Sequence, residues 1–426
     1  MDCISESWSE RTAFVGFDWA SDHHDVVVVD RAGAIVEDFR FDDTAEGWKQ
    51  FTQKLSRYLH TAVAIETSSG TTVERLLDGG FAVYPVNPFS AKRFRERKAP
   101  SGAKSDRFDA WCLADALRME GQTWRALKPN DPLTAELRML CRDEIALTEQ
   151  RTALVCQLRA ALKEYYPTAL EAFDDWTVPS SWAFVEVFPT PAALVQAGKR
   201  KWEKFLHTHK LYRPTTYEHR LSLFAQAQTF CGNPATIKAK CLLAAALTAQ
   251  LRVLQDHLNK FRERIQELFD QHPDHELFGS LPGSGAKLAP RLLAELGDDR
   301  ARFDSHEALQ CFVGTAPVTY QSGKVKKAYI RLACHKILRH TVHLWVNLSR
   351  DQCPWAQAYY QKKREQGQTH ACALRCLGQR WLKILWKMWQ TRRPYDPELH
   401  QRNQVKHGSW VIALTSLSPI KLQTKD

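Results

Sequence analysis

Residues 12–30 read TAFVGFDWASDHHDVVVVD. Thr12–Asp18 is an apolar run that ends on an acid, and Val26–Asp30 is a run of valines closed by another. Short β-branched and aromatic runs between polar breaks mark strands. A third run, Ala34–Phe39, follows the turn Arg31-Ala32-Gly33, so this region predicts a three-stranded meander. Downstream the period changes. Trp48, Phe51, Leu55 and Tyr58 recur at helical spacing within Thr44–Tyr58. A fourth strand, Thr61–Ile65, stops at Glu66, and a helix from Thr72 to Leu77 ends at Gly79-Gly80. Phe81–Val86 is a fifth strand, closed by Asn87-Pro88, and another helix begins near Ser105.

Three strands, then helix, strand, helix, strand and helix, is the element order of the ribonuclease H-like fold, expected here over residues 10–130. In that fold strands one and four are neighbours and the last helix crosses their ends. Asp18 ends the first strand and Glu66 the fourth; Asp106 and Asp109, three apart, share one helix face. Four converging carboxylates repel one another unless divalent cations sit among them. Mg²⁺ suits such oxygen ligands, and Mn²⁺ suits them too. Two ions in such a site serve phosphoryl transfer. The plainer alternative is a set of strand-end caps and solvated helix acids.

Beyond Pro132 the pattern turns helical, so the chain is expected to be α/β followed by α. Leu133, Leu137, Leu140, Glu144, Leu147, Arg151, Leu154 and Leu158 step by four and three, as do Leu247, Leu251, Leu254, Leu258, Phe261, Ile265 and Leu268. That is coiled-coil spacing, for helices at 131–165 and 241–271 that pair within one chain or across a dimer. Residues 166–240 suggest a helical insertion, 272–400 a helical C-terminal domain and 401–426 a tail.

The charge of the 426 residues is +11, and it is uneven. Between Gln321 and Arg393 sixteen Lys and Arg face two acids, with Trp345, Trp355, Trp381, Trp386 and Trp389 interleaved. Such a stretch neutralises phosphates and stacks on bases, or else is a solvated surface over a tryptophan-rich core. Leu281-Pro282-Gly283-Ser284-Gly285-Ala286-Lys287 resembles a helix–hairpin–helix, whose Gly-rich turn offers N–H groups to a phosphate; an ordinary turn is the alternative. Gly283, Gly285 and Lys287 are its candidate contacts. Ser322-Gly323 lies beside Lys324, Lys326, Lys327 and Arg331, with Lys336 and Arg339 further on. On composition alone Ser322 reads as a turn residue. His23-His24, the set His335, His340 and His343, and Cys372 with Cys376 lack structural-zinc spacing and read as packing or phosphate-contact residues. Eleven scattered cysteines without a CxxC pair fit reduced thiols, and the polar Met1–Ser9 is no secretory signal, so a cytoplasmic protein without a membrane span is expected.

Taken in order, GFDWASDHHD, IETSSG, KSDRFDA, LPGSG, Phe312–Pro317 with Gln321-Ser322-Gly323, Cys334–Arg339, Trp355 with Tyr359-Tyr360, and Arg393–Asp396 resemble the DEDD transposases of bacterial insertion sequences, the IS-one-ten family. Residues 166–240 carry no family motif. The resemblance implies a RuvC-like first domain with Asp18, Glu66, Asp106 and Asp109 as its metal tetrad. It implies that Ser322, in the C-terminal transposase domain, attacks DNA and forms a phosphoserine link. It further implies a composite site across protomers, dimers assembling to tetramers through the coiled coil, and a noncoding RNA from the element that pairs with donor and target DNA. This chain departs from the family in Trp19-Ala20-Ser21-Asp22, which lacks a lysine soon after Asp18, in Thr67-Ser68-Ser69-Gly70 after Glu66, and in Cys334 at a frequent glycine position. Two other functions fit the residues: a RuvC-like structure-specific nuclease that hydrolyses with metal-bound water, and a non-catalytic nucleic-acid-binding protein.

Overall fold

The structure, a computed structural model, describes residues 7–99, 101–102, 104–129, 131–227 and 233–410. The expected tail therefore lies outside the described residues from 411 onward, as do 228–232 of the insertion. The chain forms two compact units that divide between residues 130 and 131.

The first unit is a five-stranded sheet with helices on both faces. Its elements are β1 (Ala13–Trp19), β2 (His23–Asp30), β3 (Ile35–Asp42), α1 (Ala45–Leu55), β4 (Thr61–Ile65), α2 (Thr71–Asp78), β5 (Ala82–Pro85), α3 (Pro88–Lys98) and α4 (Asp106–Glu120). The strands lie in the order β3-β2-β1-β4-β5. β1, β2 and β3 run antiparallel, and β4 and β5 run parallel to β1. The unbroken valines of β2 follow from burial on both faces. Val26 and Val28 pack with Phe17, Phe41, Phe51 and Leu76 on the α1–α2 side, and Val27 and Val29 pack with Phe14, Ala110 and Leu117 on the α4 side. β3 is an edge strand, largely exposed and charged, which discourages pairing with another chain. Helix α3 had no expectation from the sequence; Asn87 caps it and Pro88 starts it.

The second unit is helical but for one hairpin. It comprises α5 (Pro132–Tyr165), α6 (Pro167–Ala172), α7 (Pro179–Val187), α8 (Pro191–Thr208), α9 (Pro214–Ala225), α10 (Pro234–Gln271), α11 (His275–Gly279), α12 (Gly285–Leu296) and α13 (His306–Val313). Strands β6 (Val318–Ser322) and β7 (Val325–Tyr329) follow, then α14 (Lys336–Gln352), α15 (Pro354–Glu365), α16 (His370–Thr391) and α17 (Pro397–Lys406). The two long helices, α5 and α10, pair antiparallel within the chain. Their partners descend as the numbering rises: Glu136 with Arg264, Glu144 with Arg262, Arg151 with Gln255 and Glu164 with Lys240. Glu144 and Arg151, the polar members of the first seam, are thus register contacts. Glu144 is buried and also bonds the buried Arg291 of α12.

Each end of this helical pair enters its own core. Leu158, Leu162, Leu247 and Leu251 join the four insertion helices around Trp182 and Phe184. Leu137, Cys141, Ile265 and Leu268 join α11–α16 around Trp345, Trp381 and Trp389. That second core corrects the expectation of base-stacking tryptophans. Trp345, Trp381 and Trp389 are fully buried and Trp355 is 9% exposed, so these rings are core and the cations around them are the surface. Helix α16 puts its apolar residues on one face, whose burial stabilises the unit by about 25 cal/mol for each Å² of apolar area removed from water. The hairpin β6–β7 corrects the expectation of a purely helical C-terminal domain.

Candidate active site

Asp18 and Glu66 come together because β1 and β4 are parallel neighbours in register. Phe17 pairs with Ile65, and each acid follows directly, at the carboxyl ends of adjacent strands. Open α/β sheets bind ligands at that edge. The other two acids arrive on α4. Ser105 caps this helix by accepting a hydrogen bond from the Phe108 N–H, which places Asp106 and Asp109 in its first turn, where the helix dipole favours negative charge. Gly16 sets how closely α4 crosses β1. A Cβ there would lie 1.7 Å from the Ala110 carbonyl oxygen, so any other residue pushes the helix and its acids away.

The electrostatics shows that these groups feel one another. The Asp18 carboxyl is pushed up from 3.8 to about 7, first by burial and then by Asp109, Glu66, Asp106 and Asp25. Glu66 is pushed up by burial and Asp109, against the opposing pull of Arg95 and Lys104. Asp109 is buried. Its Oδ2 accepts from Arg95 Nη1 at 2.8 Å, while its Oδ1 has no hydrogen-bond partner among the described residues. A buried bare carboxylate oxygen among acids that resist ionisation is the donor set a hard divalent cation fits.

Asp106 is exposed and reaches toward β2 as well. Its Oδ2 lies 3.3 Å from Arg40 Nη2, and Arg40 also grips Asp25 at 2.8 Å. One ligand atom from each of His23, Asp25 and Asp106 lies within 4.8 Å of the others. Sequence reasoning took His23 for a packing or phosphate-contact residue and passed over Asp25, Arg40 and Arg95. The signal for Asp25 was present, since the β1–β2 meander sets it directly opposite Asp18. Arg40 and Arg95 carry no local signal, because they matter only through pairing across the tertiary structure.

In the second unit Ser322 ends β6 at the tip of the hairpin, paired with Val325. Gly323 takes φ +54°, a turn conformation that costs glycine nothing. Ser322 and Lys324, Lys326 and Lys327 are all exposed, and no acid lies within ion-pair distance of those lysines among the described residues. Arg331 and Arg339 fasten the hairpin's base instead. Arg331 Nε donates to the Ala316 carbonyl at 3.3 Å, and Arg339 Nη2 donates to the Arg331 carbonyl. Lys336 is exposed at the start of α14.

The Gly-rich turn is largely turned inward. Gly283 N–H donates to Gln352 Oε1 at 2.7 Å, and a Cβ on it would sit 2.6 Å from the Ser349 nitrogen. Ser284 is buried and bonds the Leu281 and Phe278 carbonyls. Gly283 thus lets α14 pack closely, while Gly285 and Lys287 remain exposed. His335 caps α14 and packs on Phe312.

Against known proteins, a transposase family model (DEDD, IS110) matches residues 15–167. A second, described as transposase IS116/IS110/IS902 family, matches residues 275–361. The chain is 32% identical to the "Mini-circle putative transposase for IS117" of Streptomyces coelicolor, over 92% of this chain and 97% of that one. It is 24% identical to an uncharacterized 43.6 kDa protein of insertion element IS110 from the same organism, over 91% and 97% respectively. A pilin gene-inverting protein of Moraxella bovis is 23% identical over 46% of this chain and 57% of its own length. No helix among the described residues is long and apolar enough to cross a membrane. With an acid cluster in the first matched segment and an exposed basic hairpin in the second, the chain belongs to the IS116/IS110/IS902 family of insertion-sequence transposases, DNA transposase/recombinase enzymes.

Proposed function

We propose that this transposase cuts and rejoins donor and target DNA through a divalent-cation site on Asp18, Glu66, Asp106 and Asp109, with Ser322 as the nucleophile. The observation that carries the reading is that burial, reinforced by the neighbouring acids, pushes Asp18 up to about 7 beside Asp109, whose Oδ1 has no hydrogen-bond partner among the described residues. The strand order β3-β2-β1-β4-β5 supports a ribonuclease H-like first unit. Mg²⁺ or Mn²⁺, when bound, supplies charge stabilisation to a reacting phosphate. The chain's own part is to aim the ligands and present the nucleophile. Arg95 orients Asp109, the β1–β4 register aligns Asp18 with Glu66, and Lys324, Lys326 and Lys327 neutralise phosphates flanking the one that Ser322 meets.

In the transfer Ser322 Oγ forms a bond to phosphorus while the bond from phosphorus to a deoxyribose oxygen breaks. Oγ gives up one proton and the leaving oxygen takes one up. The phosphoserine ester keeps the phosphodiester available for rejoining by the reverse step. The test is to trap that ester. Duplexes carrying the element's ends, incubated with protein and Mg²⁺, give an SDS-stable protein–DNA adduct with wild type and none with Ser322→Ala. An adduct that persists in Ser322→Ala overturns the assignment.

Site choice, on this reading, rests on base pairing with a noncoding RNA of the element, supported by family membership and by the cation surplus of the second unit. RNA copurifying with the protein and mapping to the element's ends is the expected result. The working form is a homodimer that assembles to a tetramer. An open apolar groove of about 640 Å³ along α5 and α10, lined by Leu147, Leu154, Val253, Leu254 and Phe261, supports a second copy docking there. Val253, which is 61% exposed, is the place to break it: Val253→Glu lowers the molar mass seen by light scattering.

A further inference from the structure

Between α13, α14 and α16 lies a cavity of about 180 Å³ whose charged and titratable side chains are all basic: Lys336, Arg339, His340, His343 and Arg375. No acid lies within ion-pair distance of any of them among the described residues. In the same unit the buried Arg291 is matched by Glu144, and the half-buried Arg142 by Glu295. A second observation is independent of the charge count. Arg339 Nε is buried with no hydrogen-bond partner among the described residues, an unfavourable state for a charged donor unless a ligand supplies an acceptor. Gly314 seats this arginine: its φ is +79°, and a Cβ would lie 2.4 Å from Arg339 Nη2. His343 is held below the ordinary histidine range by burial, His370, His340 and Arg375, while Tyr360 bonds His370 at 2.8 Å.

We propose that this cavity holds one backbone phosphate of the DNA, a contact site distinct from the hairpin tip. DNA is the occupant because the cavity opens beside the base of the β6–β7 hairpin, with Ile330 in its wall, in a transposase. The spacing gives the site a position. Val325, opposite Ser322, is five residues from Ile330. At about 3.4 Å per residue that is roughly 17 Å, about five base steps of duplex. The placement on the DNA rests on Ser322 as nucleophile; the existence of the phosphate site does not.

Duplexes of the element's end, each with a single neutral methylphosphonate, test both points. Wild type loses about tenfold in affinity when the fifth phosphate from the cleaved one, give or take about one, is neutralised. Arg375→Gln binds unmodified DNA about tenfold more weakly and shows no further loss at that position. His343→Gln loses less, and it loses part of the tightening that wild type gains as pH falls from 7 toward 5, the remainder belonging to His340. Thermal unfolding shows that both variants remain folded. If Arg375→Gln binds unmodified DNA as wild type does, or still responds to every methylphosphonate as wild type does, the proposal falls. If Arg375→Gln erases a loss located far from the fifth position, the phosphate site stands and the Ser322 assignment fails.

Discussion

The two units handle charge in opposite ways. At the ends of β1 and β4 the first unit buries and crowds acids so that Asp18 resists ionisation, and it answers them with a few cations, Arg95 and Lys104 on Asp109 and Arg40 on Asp106. At the β6–β7 hairpin the second unit sets Lys324, Lys326 and Lys327 outward with no acid within ion-pair distance among the described residues. The first arrangement destabilises a cation-free protein and rewards a bound cation. The second costs little, because exposed lysines stay hydrated, and it rewards a polyanion. Each unit also brings two backbones close at a glycine, Gly16 against Ala110 in one and Gly283 against Ser349 in the other.

The largest effect is expected from that close approach. Gly16→Val forces α4 off β1 and costs about 3 kcal/mol or more, read as a lower urea midpoint for the first unit and lost recombination. Gly283→Ala, at φ +78° against the Ser349 backbone, costs less and acts on the second unit alone. Equal effects of the two on both units would break the comparison.

A subtler prediction concerns pH. The folded pKa of Asp18 lies above its ordinary 3.8, so its destabilising charge is absent below about pH 4, grows as pH rises and is complete above about 7. Asp18→Asn therefore raises the Tm of cation-free protein most at pH 8 and not at all at pH 4. Mg²⁺ or Mn²⁺ raises the wild-type Tm but barely moves that of the variant. A variant that gains equally at both pH values would show that charge crowding is not the cause.

For the second unit, changing Lys324, Lys326 and Lys327 to Gln lowers the slope of log affinity against log salt by about 2.7, roughly 0.9 for each phosphate that is no longer neutralised. The Tm stays unchanged, because these side chains are exposed. An unchanged slope would remove the hairpin from the DNA interface. The smallest effect belongs to Arg40→Gln. The arginine is about half exposed, where ion pairs are screened by water, so removing it tightens divalent-cation binding only a few-fold. Weaker cation binding would mean that Arg40 organises the acids instead of competing with cations.

The strand pattern of the first unit and the elements bearing Asp18, Glu66, Asp106 and Asp109 were legible because local periodicity and strand ends carry them. The packing faces were legible in part: the valines of β2 announced burial, but the Ala110 contact at Gly16 has no sequence signal. Arg40 and Arg95 became visible only when distant segments met, whereas Asp25 was open to discovery from the β1–β2 meander that sets it opposite Asp18. The tryptophans misled because aromatics among basic residues look alike whether they face a base or a core; the spacing of Trp381, Leu385 and Trp389 on α16 favours the core. The β6–β7 hairpin escaped notice because its strands are only five residues long and wholly exposed, so the alternation of Val318 with Tyr320 and of Val325 with Tyr329 is too short to stand out among polar and basic neighbours.

The central claim is that the acid cluster and Ser322 serve one reaction, and formation of element circle junctions in bacteria tests it most directly. The protein is expressed with its native flanking DNA as wild type, Asp18→Ala and Ser322→Ala. Junctions with wild type alone are the predicted result. Junctions that survive Ser322→Ala but not Asp18→Ala would contradict the account, leaving water or a DNA end as the nucleophile.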